Sequence, residues 1–391
     1  MDPKYLIVNP GSASKKYALY QGDKEIYFAH FETVQDQPIV TFKSADSSVK
    51  DQIEPAIFAS AVDFFLQRLM TKKIITDQAA IAAIGIRVVA PGSIFTQHQI
   101  IDQNYLQHLS DERASAPLHL NPLLEELEQL TAVFPKLPIV GISDSAFHTT
   151  IPAASRHYAI SFSDTTQLDL HRFGYHGISV QSLLPKIQSL LGQVPPRVIV
   201  CHLGGGASLT AIQDGNSIDN SMGYTPLEGL IMATRVGNID AGALIKLSQA
   251  KNLSLTELEE YLNTRSGLLG LSELSDDIRK LLKLENENPQ AKLALHAYVN
   301  TIKKYIGAYT AILNGLDLLV FTATIGERSS IIRARICVNL DGLGIHLDQS
   351  VNDHIDSTNA IISTTDSPVT VAVLTTNEMQ AIAQQMRPLL D

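Results

Sequence analysis

The chain has 391 residues, of which 45% are hydrophobic and 18% are charged, and its formal net charge is −10 at pH 7. This balance is that of a globular protein, and the length predicts two domains rather than one. The 30 Lys and Arg residues are scattered along an acidic chain, which excludes a basic face for nucleic acid or an anionic membrane. A phosphate-bearing substrate would therefore need a local positive pocket.

The sequence has no apolar run near the roughly 18 residues needed to cross a membrane. Its opening segment, MDPKYLIVNPGS, predicts a first strand rather than a signal peptide. The two cysteines, Cys201 and Cys337, lie far apart without a CxxC or histidine companion pattern. We interpret both as small apolar residues in strands, which is typical of a reducing compartment. The expected location is the cytoplasm.

Short apolar runs alternate with helical patterns along the chain. The predicted strands are Tyr5–Val8, Ile81–Val89, Ile139–Ile142, Val198–His202, Leu318–Thr322 and Val369–Leu374. The predicted helices are Pro55–Met70, Pro122–Ala132, Thr225–Gln249 and Pro289–Leu313, and a capping-box pattern at Ser254–Glu257 begins another. This alternation predicts an α/β architecture.

Two segments, one heading each half of the chain, resemble each other. Tyr5–Ser14 reads YLIVNPGSAS and Ile199–Ser208 reads IVCHLGGGAS, each a strand followed by a small-residue turn and a second strand-like run. Such turns let phosphate oxygens approach backbone N–H groups and hydroxyls closely. A single turn of this kind is more often a plain hairpin. The duplication favours a βββ-type domain present twice, with one phosphate-binding turn in each copy.

Five ionisable residues stand in apolar or small-residue contexts: Arg87, His119, Asp144, His176 and Arg235. Singly, each is explained as well by a capping aspartate, a buried histidine or a structural ion pair. Asp144 follows an apolar strand, and acidic groups at strand carboxyl ends are typical of crevice sites in α/β sheets. The absence of HExxH, GxSxG, GxxxxGK[ST], HRD and DFG motifs argues against zinc and serine hydrolases, P-loop NTPases and protein kinases.

Taken together, the motifs resemble those of the acetate kinase (acetokinase) family of actin-like phosphotransferases. The matching blocks are VNPGSAS from Val8, IRVVAPG from Ile86, APLHLNP from Ala116, ISDSAFH from Ile142, FGYHGIS from Phe173, CHLGGGASL from Cys201, DNSMGYTPLEGLIMATRVGNID from Asp219, SGLLGLSELSDDIR from Ser266, FTATIGERS from Phe321 and TTNE from Thr375. They run in order across nearly the whole chain, and the block from Asp219 is long and highly specific.

The resemblance implies two actin-like (ribonuclease H-like) domains from a duplicated βββαβαβα core, with a cleft between them. Residues 1–145 and a returning helix at 377–391 would form the first domain. Residues 146–376 would form the second, with the nucleotide site and the dimer contacts. The resemblance also implies a homodimer that acts reversibly on ATP and acetate, or another short carboxylate, to give ADP and acetyl phosphate with Mg²⁺ or Mn²⁺.

A carboxylate is already ionised near pH 7, so this nucleophile needs no general base. Catalysis then depends on alignment and on stabilising charge on the transferring phosphoryl oxygens. By their positions in the family motifs, Arg87 and Arg235 would hold the carboxylate and the phosphoryl group from either side. His176 would donate a hydrogen bond to the phosphoryl oxygens, and His119 would support the same site.

The resemblance assigns the remaining site residues by position. Mg²⁺ would be held, mostly through water, by Asn9, Asp144 and Glu378. The phosphate turns would comprise Ser12, Ser14 and Lys16 in the first domain and His202, Gly204, Gly205 and Gly206 in the second. The adenosine site would comprise Asp277, Arg279, Thr324, Ile325, Gly326 and Arg328, and the acetate methyl pocket would comprise Val89, Leu118, Tyr175 and Pro226.

Some residues depart from the family pattern near the acyl site. Tyr175 replaces the usual Phe, which predicts an extra hydroxyl in the methyl pocket. Leu120 reads as an insertion directly after His119 that would re-aim Asn121. The methyl pocket therefore leaves propionate and butyrate kinase as alternatives, because one methylene is worth only about 1–3 kcal/mol of discrimination.

Other departures lie in the phosphate and nucleotide motifs. Thr324 replaces the glycine that opens the adenosine turn, and Arg328 replaces its Asn; Gly205 and Ala90 replace an Asn and a His. A side chain at position 324 would crowd adenine, so another donor, such as GTP or pyrophosphate, is an alternative. A non-catalytic nucleotide or acyl-phosphate sensor is a further alternative, although such a protein would not need the full catalytic set. Sugar and glycerol kinases are less favoured, because they need a general base to activate a neutral hydroxyl.

Overall fold

The computed structural model describes residues 2–11, 14–34, 37–45 and 47–390. The strands are β1 Lys4–Asn9, β2 Ser14–Gln21, β3 Lys24–Val34, β4 Gln37–Ser44, β5 Ser47–Gln52, β6 Ile81–Val88, β7 Gln99–Ile100, β8 Ile139–Ser143, β9 Arg197–Leu203, β10 Ala207–Gln213, β11 Asn216–Asn220, β12 Leu318–Thr322, β13 Ala360–Ile361 and β14 Thr370–Val373.

The helices are α1 Pro55–Ala59, α2 Ala61–Thr71, α3 Gln103–Asp111, α4 Pro117–Val133, α5 Ala153–Arg156, α6 Phe162–Gln167, α7 Gly177–Gln181, α8 Leu184–Leu191, α9 Ala241–Lys251, α10 Leu255–Thr264, α11 Gly267–Ser272, α12 Ile278–Leu284, α13 Pro289–Ile312, α14 Ala323–Arg328, α15 Ser330–Cys337, α16 Gln349–His354 and α17 Glu378–Met386. Over the described ranges, none of these helices combines the length and apolarity required to span a bilayer.

The chain forms two compact units, which we call the first unit (Met1–Ala146 with Asn377–Asp391) and the second unit (Phe147–Thr376). The first unit contains an eight-stranded sheet in the order β5-β4-β3-β2-β1-β6-β8-β7. The second unit contains a six-stranded sheet in the order β11-β10-β9-β12-β14-β13. Each sheet has its own buried apolar core.

The two sheets share one core topology. In each, three consecutive antiparallel strands, β1–β3 or β9–β11, are followed by two strands parallel to the first, β6 and β8 or β12 and β14. Helices connect the parallel strands, as parallel pairing requires. This strand order is that of the ribonuclease H-like, actin-like fold. The predicted α/β class and the predicted duplication are therefore confirmed.

All six predicted strands are present with bounds that agree within one residue. The predicted helix Pro289–Leu313 is confirmed as α13, and Ser254 forms the predicted capping box with Glu257 at the start of α10. Cys201 lies in β9 as predicted. The placement of Cys337 in a strand is wrong, because this residue ends helix α15.

The predicted helix Thr225–Gln249 is wrong over most of its length. Only α9, at its end, is helical, and the preceding residues form an irregular segment. Gly229 and Gly237 adopt φ angles of +110° and +74° there, which an α-helix cannot contain. The helix is predicted because the apolar residues of this segment have helical spacing.

Two other helix bounds differ from the prediction. Pro55–Met70 is divided into α1 and α2 at Ser60, which leaves helical geometry with φ −107° and ψ 40°. The helix predicted to start at Pro122 starts at Pro117 instead. A proline is well suited to the first helical position, because the N–H that it lacks would have no intrahelical partner there.

The last helix, α17, packs on β1, β6 and β8 of the first unit. Gly85 of β6 allows the close approach, since a Cβ at this position would lie 2.8 Å from Sδ of Met386. The chain thus runs from β14 of the second unit back to the first, and places the start of α17 beside the parallel strands.

Candidate active site

The parallel strands β1, β6 and β8 carry polar residues where each strand ends. Asn9 is the last residue of β1, Arg87 is the penultimate residue of β6, and Asp144 directly follows β8. Glu378 is the first residue of α17, which packs on these strands. Because the carboxyl ends of parallel strands meet at one edge of a sheet, the first unit brings these four residues together.

Arg87 is at the centre of this group, which we call the Arg87 cluster (Asn9, Arg87, Asp144 and Glu378). Its Nε and Nη2 donate to Oδ1 and Oδ2 of Asp144 at 3.2 and 2.9 Å, a bidentate pair. Its Nη1 lies 3.5 Å from Oδ1 of Asn9 and 3.7 Å from Oε2 of Glu378. Asn9 also donates from Nδ2 to Oε2 of Glu378 at 2.8 Å.

The Arg87 cluster is largely buried: 1% of the Asp144 side chain and 18% of the Arg87 and Glu378 side chains are exposed. Burial alone would lower the pKa of Arg87, but the charges of Asp144 and Glu378 and the hydrogen bonds to Asp144 together raise it. The guanidinium therefore stays charged at all working pH values. Two carboxylates and one guanidinium leave a formal charge of −1, which suits a further cation.

The donor set of the Arg87 cluster fits Mg²⁺. Apart from the guanidinium, its polar atoms include the carboxylate oxygens of Asp144 and Glu378 and the amide oxygen of Asn9, and hard oxygen ligands are those that Mg²⁺ prefers. Three side chains supply fewer ligands than an octahedral ion requires.

The first predicted phosphate turn lies between β1 and β2. Asn9 and Lys16 are opposite each other in the β1–β2 pair, so their side chains project from the same face of the sheet. Oγ of Ser14 lies 2.8 Å from Nε2 of His30, and burial, followed by the charge of Lys16, lowers the pKa of His30. Ser12 lies outside the described residues.

The second predicted phosphate turn lies between β9 and β10. Gly204 donates its N–H to the carbonyl of Gly206 at 3.0 Å, which closes the turn. A Cβ at Gly206 would lie 3.3 Å from Nε2 of His176 and 3.6 Å from Nη1 of Arg235. The structure therefore brings the glycine turn, His176 and Arg235 together, and glycine leaves the space between them open.

His176 is held by residues of β9 and β10. Its ring stacks on the ring of His202 with centroids 4.1 Å apart and 19° between planes, and its Nδ1 lies 2.9 Å from Oγ of Ser208. With the Ser208 hydroxyl as donor, Nε2 carries the ring proton and faces Gly206. The backbone of His176 has a left-handed φ of 62°, which is uncommon for a residue with a side chain and typical of functional turns.

Arg235 lies on the irregular segment ahead of α9, and backbone hydrogen bonds hold it in place. Ala233, two residues earlier, donates its N–H to the carbonyl of Gly205 at 3.1 Å. Gly267, with φ +63°, packs beneath the segment, and a Cβ there would lie 2.3 Å from the carbonyl of Met232. The backbone that carries Arg235 is therefore fixed within the second unit.

Two residues of the predicted methyl pocket lie in the second unit, and both are buried. The Tyr175 side chain is 1% exposed, and its hydroxyl donates to the carbonyl of Tyr224 at 2.6 Å. The Tyr175 hydroxyl is therefore engaged by a backbone carbonyl of the protein, and its place in the methyl pocket stays a prediction. Pro226 accepts a hydrogen bond from Nη1 of Arg235 at 3.1 Å through its carbonyl.

The remaining acyl-site candidates lie in the first unit. His119 and Leu118 are half-buried in the first turn of α4, and Val89 is half-buried directly after β6. Leu120 is fully buried in the apolar core. Asn121 accepts a hydrogen bond from Nε of Arg113 at 2.6 Å. That Leu120 re-aims Asn121 stays a prediction.

The candidates for adenosine binding form two groups in the second unit. Asp277 caps α12 by accepting the N–H of Arg279 at 2.8 Å, and its Oδ2 forms an ion pair with Nη2 of Arg279 at 2.8 Å. Thr324, Ile325, Gly326 and Arg328 belong to the short helix α14 rather than to an open turn. Thr324 and Arg328 are exposed, and Nε of Arg328 donates to Oγ of Ser357 at 3.1 Å.

Comparisons with a family model, with protein sequences and with solved structures all identify similarity to the acetokinase family. The chain matches the acetokinase family model over residues 4–384. It is 36% identical over 402 residues to the acetate kinase of Pseudothermotoga lettingae, an alignment that covers 99% of this chain and 98% of that protein. Two similar crystal structures are the acetate kinase of Porphyromonas gingivalis (TM-score 0.86, 32% identity, 100% of both chains) and a propionate kinase of Francisella tularensis (TM-score 0.89, 33% identity, 98% of both chains).

Proposed function

The chain belongs to the acetokinase family, and from this premise we propose that it is an acetate kinase, which transfers the γ-phosphoryl group of ATP reversibly to acetate. The observation that carries the proposal is that the side chains of His176 and Arg235 both lie beside the glycine turn at Gly206. Nε2 of His176 and Nη1 of Arg235 lie 3.3 and 3.6 Å from the position of a Cβ on Gly206.

The second unit supplies donors for a phosphoryl group. Oxygens placed over Gly206 would accept hydrogen bonds from the His176 imidazole and from the Arg235 guanidinium. Both side chains are held before substrate arrives, His176 by the Ser208 hydroxyl and Arg235 by the Pro226 carbonyl. Preorganised donors of this kind stabilise the charge that develops during phosphoryl transfer without the cost of reorganisation.

The first unit supplies the Arg87 guanidinium, whose Nη1 can bind substrate. Asp144 fixes the Nε and Nη2 edge of Arg87. The contacts of Nη1 with Asn9 and Glu378 are long, at 3.5 and 3.7 Å, and are weak for that reason. This nitrogen can exchange them for an oxygen of acetate or of the phosphoryl group. Since acetate is ionised, it must be aligned but not deprotonated.

We assign the resident cation to the Arg87 cluster, with Asn9, Asp144 and Glu378 as the residues that would hold Mg²⁺, or Mn²⁺ in its place. When bound, the ion neutralises charge on the phosphate oxygens. The oxygen-only donor set and the formal charge of −1 support this assignment.

The test of the proposal is acyl phosphate formation. The purified protein is incubated with Mg²⁺, ATP, acetate and hydroxylamine, and acetyl hydroxamate is read by colour. We expect strong colour that disappears when acetate or Mg²⁺ is left out. If no carboxylate and no donor gives colour while nucleotide still binds, the protein is a sensor rather than a kinase.

A second candidate differs in the phosphoryl donor. Thr324 carries a side chain at the position where the family motif has glycine, and it lies next to Ala323, whose φ is +63°. A Cβ and a hydroxyl here would crowd adenine, which favours GTP or pyrophosphate as donor. The hydroxamate assay run with ATP, GTP and pyrophosphate in parallel decides between them. Comparable rates and KM values with ATP would remove this candidate.

The acyl preference is expected to be insensitive to the Tyr175 hydroxyl. In Tyr175→Phe, the ratios of kcat/KM for acetate, propionate and butyrate should stay within about twofold, because the hydroxyl is directed at the Tyr224 carbonyl. The free energy of unfolding should fall by about 1 kcal/mol, since that buried carbonyl loses its donor. Steady-state kinetics and urea unfolding measure both. A shift of preference above about tenfold would show that the hydroxyl reaches the substrate.

We also propose a cytoplasmic homodimer. The helix α9 has no buried residue although it carries Leu244, Ile245 and Leu247. Ile245 is 60% exposed and Phe162, also in the second unit, is 74% exposed. Contiguous exposed apolar side chains mark subunit interfaces, and we propose that α9 contributes such a surface. Light scattering should give twice the chain mass of 42.6 kDa.

A further inference from the structure

One carboxylate of the second unit holds two backbone segments at once. Oε1 of Glu327 accepts the N–H of Ala323 at 3.0 Å and the N–H of Thr376 at 3.3 Å. Ala323 is the first residue of α14, which carries the candidates for adenosine binding. Thr376 is the last residue of the second unit, two positions before Glu378 of the Arg87 cluster.

The segment at Ala323 is strained and needs support. Its φ of +63° lies in the left-handed region, which costs an alanine about 1–2 kcal/mol. The hydrogen bond to Glu327 satisfies its N–H in that conformation. On the preceding side, Oγ1 of Thr322 donates to the carbonyl of Leu374 at 2.6 Å. A strained residue persists only where its surroundings hold it in this way.

The segment at Thr376 is held by side chains from three separate parts of the second unit. Oδ1 of Asn359 accepts the N–H of Thr375 at 2.9 Å, and Nζ of Lys186 donates to the Thr375 carbonyl. Glu327 completes this support at Thr376. Of the three, Glu327 is the residue that also belongs to α14, so it alone among them joins this segment to the candidate nucleotide site.

We propose that Glu327 is a positioning residue that couples nucleotide binding at α14 to the segment Thr375–Glu378, which delivers a metal-holding carboxylate. This inference rests on the proposed function. Because one oxygen serves both amides, a shift of either segment changes the other hydrogen bond. A nucleotide that orders α14 therefore also orders the backbone at Thr376. The free energy of nucleotide binding is thereby coupled to the free energy of ordering this segment.

The test uses amide hydrogen exchange with ADP alone, in EDTA, on the full chain. In the wild type, ADP should slow exchange both in the peptide containing Ala323 and in the peptide containing Thr376, the latter by at least about fivefold. In Glu327→Ala, exchange at both peptides should be faster without ligand, and ADP should protect the Ala323 peptide alone. Glu327→Gln keeps a carbonyl acceptor and should retain both effects. Glu287→Ala, which removes an exposed glutamate elsewhere in the same unit, serves as the control.

Three results would overturn the proposal: no ADP protection at Thr376 in the wild type, unchanged coupling in Glu327→Ala, or loss of the ADP protection at Thr376 in Glu327→Gln. The first and third need no alanine variant, so the proposal stays testable if that variant does not fold. Failure of the proposed function looks different. A wild type that forms no acyl phosphate with any donor would refute the kinase, whereas an active wild type without coupling would refute only the role of Glu327.

Discussion

Replacing Arg87 with alanine is expected to lower kcat for acetyl phosphate formation by about 10²–10³-fold, the usual cost of removing one preorganised donor from a charged transition state. The KM for acetate should rise as well, because Nη1 is the edge of Arg87 that we assign to substrate oxygens. Steady-state hydroxamate assays at saturating donor measure both quantities. Arg87→Lys restores the charge but not the planar fork, so it should recover less than a tenth of the lost rate.

The same substitution should also destabilise the first unit, and the two effects can be separated. Asp144 is 1% exposed and loses its bidentate partner in Arg87→Ala, which costs about 3–5 kcal/mol of unfolding free energy. Adding Asp144→Asn removes the unpaired charge and should return part of that stability. It should return none of the activity, because Asp144 is itself part of the site.

The second unit offers a matched control for Arg87. Arg197 forms the same kind of bidentate pair with Asp317, through Nε and Nη2, at the start of β9. Arg197→Ala therefore removes a more exposed ion pair of the same bidentate kind, outside the Arg87 cluster. We expect kcat to stay within about twofold of the wild-type value, because a partly exposed pair contributes little beyond its own site. If Arg87→Ala kept more than a tenth of wild-type kcat while binding acetate normally, the assigned role would be wrong.

Much of the fold is predictable because its strands are short, apolar and buried. The runs that became β6, β8, β9 and β12 are hydrophobic enough to be recognised without any partner. Residues at the ends of parallel strands are predictable for the same reason, since the topology brings all such ends to one edge. Asp144 is predicted in this way, whereas Arg87 is predicted from its charge in an apolar context and Asn9 from the family resemblance.

Other parts of the candidate site depend on pairings that the sequence does not display. Glu327 and Thr376 are 49 positions apart, and Ser208 and His176 are 32 apart. Single-residue details are equally hidden. Lys15 and Lys16 look equivalent in sequence, yet strand alternation turns Lys15 into the core, where its Nζ lies 3.0 Å from Glu126. These side chains are placed by tertiary contacts, not by local preference.

Replacing Arg235 with alanine is expected to have the largest effect of all, a loss of about 10³-fold or more in kcat. An arginine that stabilises the charge of a transferring phosphoryl group raises kcat by about 10³–10⁵-fold. The fold should survive, because the segment is held by backbone contacts such as the hydrogen bond from Ala233 to Gly205 and the packing of Gly267. Urea unfolding should therefore shift by less than about 1 kcal/mol, while the hydroxamate signal disappears.

Two further variants test whether the loss of kcat in Arg235→Ala is caused by the absence of the guanidinium beside Gly206. Gly206→Ala keeps Arg235 but places a methyl group 3.6 Å from its Nη1 and 3.3 Å from Nε2 of His176, where phosphoryl oxygens would lie. It should lower kcat by at least about tenfold, whereas Arg265→Ala, which breaks an exposed pair with Glu260 further along the chain, should leave kcat unchanged. A Gly206→Ala protein with wild-type kcat would mean that phosphoryl transfer takes place elsewhere.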